Sequence, residues 1–171
     1  GSSIGNFAPD AALRLLRDAR AAAAGGALLI GVDLLKPIEV LEAAYDDALG
    51  VTAAFNLNLL RHLNRLLGAD FDVHDWRHVA FFDHAASRIE MHLEARRALA
   101  VCWPAGERRF AAGERIHTED SYKWTCAGFE SLLRDAGFAR VRTRTDRAAR
   151  VAVLLACGRG RGVRRESVGH A

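Results

Sequence analysis

The chain has 171 residues, enough for one domain with a real core; half are apolar and about a quarter charged, a balance that excludes a wholly disordered chain. The formal charge of +3 and pI near 9.1 come mostly from the end, where Arg159, Arg161, Arg164 and Arg165 face one acid, Glu166, so they do not mark a nucleic-acid surface. No apolar run approaches the roughly 20 residues of a membrane span. No signal-peptide pattern opens the chain, and Cys102, Cys126 and Cys157 show no CxxC spacing, which argues against a disulfide framework and points to a cytoplasmic setting.

Residues 1–7 read as a small-residue loop whose glycines let the backbone turn sharply or approach a ligand. A helix is expected over residues 10–24, with Leu13, Leu16 and Ala19/Ala23 at helical spacing, ended by Gly25-Gly26. Residues 27–32 form a continuous apolar run, predicted to be a strand buried on both faces as in a parallel sheet. Residues 33–37 leave its carboxyl end, where open α/β sheets place ligands.

Helices are expected over residues 38–48 (Ile38, Leu41, Ala44/Tyr45, Ala48) and 51–67 (Phe55, Leu59, Leu63, Leu66/Leu67), each stripe facing a core. Asp72 is expected to cap a short helix through Trp76, Val79 and Phe82. The period then changes: residues 88–95 alternate strictly, which predicts a half-buried strand, with residues 98–103 as partner. Pro104-Ala105-Gly106 marks a turn, and residues 108–123 read as further extended structure. Thr125 opens a helix carrying Phe129, Leu132, Leu133 and Ala136, closed by Gly137. Residues 138–145 and 150–156 form a terminal antiparallel hairpin. A lone parallel-type strand is not a sheet; residues 27–32 want neighbours on both sides, so the chain is expected to be the back half of a larger fold.

Four patterns then occur in order: Gly1-Ser2-Ser3-Ile4-Gly5-Asn6; Ala43-Ala44-Tyr45-Asp46-Asp47, followed by Gly50-Val51-Thr52-Ala53-Ala54-Phe55-Asn56; Ser87-Arg88-Ile89-Glu90-Met91; and Ile116-His117-Thr118-Glu119-Asp120-Ser121-Tyr122-Lys123. Together, over residues 1–156, they resemble the histidine-specific SAM-dependent methyltransferases of ergothioneine biosynthesis, which make Nα,Nα,Nα-trimethylhistidine (hercynine) from L-histidine. The resemblance implies an α/β fold: the C-terminal half of a class I (Rossmann-like) methyltransferase core with an inserted α+β substrate-binding region. Residues 1–50 would be partial core, 51–124 the insertion, 125–157 the closing helix and strand hairpin, and 158–171 a disordered basic tail. It implies S-adenosyl-L-methionine as cosubstrate and L-histidine as the small-molecule partner, with no membrane and no nucleic acid. It also carries roles to matching positions. Asn6 would orient the amino acid near the reacting nitrogen, and Tyr45 would hold the α-carboxylate. Met91 would be an apolar wall, Glu119 and Ser121 would hold the imidazole, and the Gly1 backbone would lie beside the amine.

The residue types suit that chemistry. A histidine ring has one donor and one acceptor nitrogen, which a carboxylate and a hydroxyl can serve. Strand residues two apart share a face, so Glu119 and Ser121 converge. Methyl transfer from a sulfonium needs an unprotonated amine held in line and no covalent enzyme intermediate. Read singly, Glu119 is equally a solvated hairpin carboxylate and Met91 ordinary core. The histidines His62, His74, His78, His84, His92 and His117 show no H-E-x-x-H pattern, so no metal is expected; His74 and His78 read as surface residues of a short helix.

A Gly-rich turn between a strand and a helix, the grip for SAM, does not occur; Gly158-Arg159-Gly160-Arg161-Gly162 follows the last strand and opens no helix. The chain alone is therefore expected to bind SAM poorly and to be inactive, a missing N-terminal half supplying the site. The alternative is a non-catalytic amino-acid-binding or assembly module that needs a separate SAM-binding partner chain.

Overall fold

The computed structural model describes residues 2–158. In chain order the elements are α1 (Pro9–Ala22), β1 (Ala27–Asp33), α2 (Ile38–Tyr45), α3 (Val51–Leu67), β2 (Trp76–Asp83), β3 (Arg88–Ala95), β4 (Leu99–Trp103), β5 (Gly106–Phe110), β6 (Arg115–Tyr122), α4 (Cys126–Asp135), β7 (Arg140–Thr145) and β8 (Val151–Cys157), with short 3-10 turns at Ser3–Asn6 and Val73–Asp75. Gly1 and residues 159–171 of the expected tail lie outside the described residues. The α/β class holds, and the chain divides into two compact units.

One unit combines α1, β1, α4, β7 and β8. Its three strands run in the order β1-β8-β7, both pairings antiparallel. The hairpin and α4 form as the sequence predicts: Thr125 accepts a hydrogen bond from the Gly128 amide at 3.0 Å, and Gly137 takes φ +96°, the left-handed geometry that ends a helix. Strand β8 alternates strictly, with Ala152, Leu154 and Ala156 fully buried. Strand β1 corrects the expectation for residues 27–32. It pairs antiparallel with β8 and is not enclosed on both faces: Val32 is buried, but Leu29 is 69% exposed. An apolar run tells that a strand is greasy, not which way its neighbour runs.

The other unit holds the 3-10 turn Ser3–Asn6 and the chain from Leu35 to Lys123. Strands β2, β3 and β6 form an antiparallel sheet in the order β2-β3-β6, and β4-β5 is a separate hairpin. Two sequence expectations change here. Residues 76–82 form β2, not a helix, and Asp72 caps only the turn Val73–Asp75 by accepting from the His74 amide at 2.9 Å. Trp76, Val79 and Phe82 fit a helical spacing, but this aromatic and β-branched segment gains a full ladder with β3, from Trp76 opposite Ala95 to Asp83 opposite Arg88. Strand β4 pairs with β5 rather than β3, because the tight turn after Trp103 sets Gly106 directly opposite it, while β3 already has β2 and β6 as neighbours.

Helix α3 is correct in extent but not in orientation. Phe55 and Leu66 are 70% and 65% exposed, whereas Asn56 and Leu60 are buried. Leu60 joins Trp76, Leu93, Ala95, Val101 and Phe110 in one apolar cluster, with Leu57 packed against it. Two asparagines fix this rotation. Asn56 Nδ2 donates to the His92 carbonyl (3.2 Å), and Asn64 exchanges two 2.8 Å bonds with the Phe71 backbone. Leucines lie all around this helix, so polar anchors decide which side faces in.

Candidate functional site

Strand β6 is the spine of the site. Glu119 and Ser121 lie two residues apart on it, the period that puts side chains on one face. The turn Ser3–Asn6 packs against this strand because Gly5 has no side chain: a Cβ there would lie 3.1 Å from the Tyr122 carbonyl and 3.5 Å from Ser121 Oγ. That approach brings Asn6 Nδ2 to 2.9 Å from Glu119 Oε1, to which it donates.

From the other side, Tyr45 is the last residue of α2, and its hydroxyl lies 2.6 Å from Ser121 Oγ. The Tyr45 backbone is held by His78, whose Nε2 is 2.8 Å from the Tyr45 carbonyl. A carbonyl only accepts, so Nε2 carries the proton; in the neutral ring Nδ1 then accepts from Asn56 Nδ2 at 3.0 Å. His78 therefore sits on β2 as a bridge, not on a surface helix beside His74.

The sequence motif contains a residue to which no role was assigned. Lys123, one residue past β6 and 4% exposed, donates from Nζ to Tyr45 Oη (2.8 Å) and to Ser121 Oγ (2.7 Å), and lies 4.6 Å from the Tyr45 ring centroid. Its signal was available: it falls in the same two-residue phase as Glu119 and Ser121.

The structure thus brings Asn6 to Glu119, and Tyr45 to Ser121, along one strand. Met91 pairs with Glu119 across β3 and β6, but its side chain is 3% exposed, clustered with Leu41, Phe82 and Ile89, with Tyr45 packed against that cluster. Gly1 is outside the described residues. Glu119 and Thr118 also line a cleft of about 270 Å³ whose other walls are Phe55, Asn56, Asn58, Leu59 and His62. A second cleft, of about 440 Å³, lies among Arg61, His74, Trp76 and Arg96 and includes none of the predicted residues.

Beside the site, Glu90, His92 and His117 bring one potential ligand atom each within 4.8 Å of one another. Glu90 is already committed: it pairs with Arg88 and lies 2.8 Å from His92 Nε2. Burial pushes the Glu90 carboxyl up, but the hydrogen bonds from His92 and Arg88 outweigh it and hold the group below its usual range. Arg88 also reaches Asp120 (3.2 Å) and the Tyr122 hydroxyl (2.9 Å), so this cluster ties β3 to β6 as an ion-pair network.

Among the described residues no strand leads through a Gly-rich turn into a helix; β1 passes to α2 through residues 34–37, Leu-Leu-Lys-Pro, and Pro37 caps α2 without a side-chain hydrogen bond.

Comparison with known proteins agrees with the motifs. The family described as histidine-specific, SAM-dependent methyltransferase matches residues 1–157. The chain is 42% identical over 159 residues to a histidine N-alpha-methyltransferase of Mycolicibacterium smegmatis, covering 91% of this chain and 50% of that protein. The same figures hold for the protein of that name in Mycobacterium tuberculosis. It is 30% identical over 125 residues to ergothioneine biosynthesis protein 1 of Schizosaccharomyces pombe, covering 72% of this chain and 16% of that protein. The chain therefore spans about half the length of the bacterial relatives and, on the match across residues 1–157, it belongs to the histidine-specific SAM-dependent methyltransferase family.

Proposed function

We propose that this chain supplies the histidine-holding part of an L-histidine Nα-methyltransferase that forms Nα,Nα,Nα-trimethylhistidine. The observation that carries it is the convergence on β6: Asn6 on Glu119, and Tyr45 on Ser121, two residues apart. In this reading Glu119 accepts the ring N–H and Ser121 donates to the other ring nitrogen. The Tyr45 hydroxyl serves the carboxylate, and Asn6 orients the amino end. Phe55 and Leu59, exposed apolar residues on the cleft that Glu119 lines, supply a wall for the ring. Met91 acts from below by backing Tyr45. Asn6 does not titrate, so it works by orientation, which keeps an unprotonated amine in line through successive transfers.

The finer architecture belongs to the same proposal. Strands β1, β7 and β8 with α1 and α4 are the closing part of a class I methyltransferase core, and the sheet β2-β3-β6 with α3 and the β4-β5 hairpin is the substrate-binding insertion. The strand order β1-β8-β7, with the last strand of the chain in the middle and antiparallel, supports it. The methyl donor S-adenosyl-L-methionine would be held by residues other than those described. No helix described is long and apolar enough to cross a membrane, and the three cysteines are free, which supports a cytoplasmic setting.

Isothermal titration of the chain with L-histidine and with L-phenylalanine tests this. Saturable binding of histidine alone, lost in Glu119→Ala with an unchanged circular dichroism spectrum, is the expected result. Equal binding of both amino acids, or of neither, refutes it.

A further inference from the structure

Helix α2 is eight residues long and buries Leu41 alone, so apolar packing gives it little hold. Two hydrogen bonds to β2 pin it instead. Midway along, Glu42 Oε1 accepts from the Phe82 amide at 3.1 Å. At its end the Tyr45 carbonyl, which a helix terminus leaves without an intrahelical partner, accepts from His78 Nε2 at 2.8 Å. Among the described residues no backbone amide competes for that carbonyl.

A third element decides where the His78 proton sits. Asn56, 3% exposed on α3, has its side-chain nitrogen 3.2 Å from the His92 carbonyl and 3.0 Å from His78 Nδ1. A carbonyl cannot donate, so the amide turns its nitrogen, not its oxygen, into this corner. Its second hydrogen then needs a lone pair, which a bare Nδ1 supplies. The neutral ring therefore carries its hydrogen on Nε2, aimed at Tyr45. We infer that His78 is a positioning residue for amino-acid binding: its Nε2–H, in the tautomer that Asn56 selects, holds the end of α2 so that the Tyr45 hydroxyl stays 2.6 Å from Ser121. This rests on the proposed histidine site and deepens it, adding the pair that keeps Tyr45 in place from behind.

Two substitutions separate the two ring nitrogens. In His78→Gln the amide nitrogen falls near the place of Nε2 and still donates to the Tyr45 carbonyl. In His78→Asn the amide oxygen falls near the place of Nδ1; it still accepts from Asn56, but nothing reaches Tyr45. By calorimetry on the whole chain, His78→Asn should weaken L-histidine at least about tenfold and His78→Gln no more than about threefold. Histamine, which lacks the carboxylate assigned to Tyr45, should weaken less than about threefold in either variant. Equal losses of L-histidine in the two variants, a larger loss in His78→Gln, or a loss of histamine as large as that of L-histidine would assign His78 a purely structural role and overturn the inference. Should the variants not fold, nitrogen NMR of the isotope-labelled wild-type chain reads the tautomer directly: a neutral His78 protonated on Nε2 is expected, and protonation on Nδ1 overturns the inference. Those outcomes concern His78 alone, whereas absence of L-histidine binding by the wild-type chain overturns the proposed function, and this inference with it.

Discussion

Asn6 Nδ2 and Glu119 Oε1 meet at 2.9 Å across 113 residues of chain, and Gly5 is what lets them meet. Ala at position 5 would place a methyl carbon 3.1 Å from a backbone carbonyl, which cannot swing away as a side-chain end can. Gly5→Ala is expected to push the turn Ser3–Asn6 off β6 and to weaken histidine binding about as much as Asn6→Ala does. Calorimetry on the two single variants and the double variant checks it: the double should lose little more than either single.

The orientation of α3 gives a contrast between two large apolar residues five apart. Leu60→Ala empties a fully enclosed site and should cost about 2–5 kcal/mol in urea unfolding. Phe55→Ala, at an exposed position, should change stability by no more than about 0.5 kcal/mol while weakening histidine binding, because Phe55 walls the cleft that Glu119 lines. The reverse ranking in unfolding would mean that the helix faces as its leucine spacing suggests.

Asp47 accepts from the first two amides of α3, Val51 (3.0 Å) and Thr52 (2.8 Å). Those backbone bonds, the Thr52 amide foremost, lower its pKa from the ordinary 3.8 to about 2. The folded value is depressed, so the stabilisation is complete above 3.8 and disappears as pH falls from there through about 2. The melting temperature of Asp47→Ala should therefore lie below wild type near neutral pH, and the two should converge as the solution is acidified through that window. A gap that persists at the acid end would assign Asp47 a role other than its charge.

Among the described residues no strand leads through a Gly-rich turn into a helix, so the isolated chain should give no saturable heat with S-adenosyl-L-methionine in the micromolar range. Micromolar binding would require a SAM site built without a Gly-rich turn.

Much of this was legible in the sequence, for identifiable reasons. Strict alternation announced β3, and Thr125 and Gly137 announced the ends of α4, because local chemistry specifies these features. Asn6, Tyr45, Glu119 and Ser121 were singled out by three of the four short motifs, and the two-residue period of a strand added only that Glu119 and Ser121 share a face. What stayed hidden was non-local. The β2 segment satisfied a helical spacing and a strand ladder at once, and only its partner β3 decides between them. The rotation of α3 depends on where the Asn56 and Asn64 amides find backbone partners, which leucine spacing does not record. Lys123 was visible in the motif, yet its role emerges only when α2 delivers Tyr45 beside it.

The most direct test is to titrate free L-histidine into the isotope-labelled chain and follow the backbone amides by NMR. Saturable shifts concentrated at Asn6, Tyr45, Glu119 and Ser121 are the expected result. Shifts confined to the cleft of Arg61, Trp76 and Arg96, or none at saturating histidine, would contradict a histidine cradle on β6.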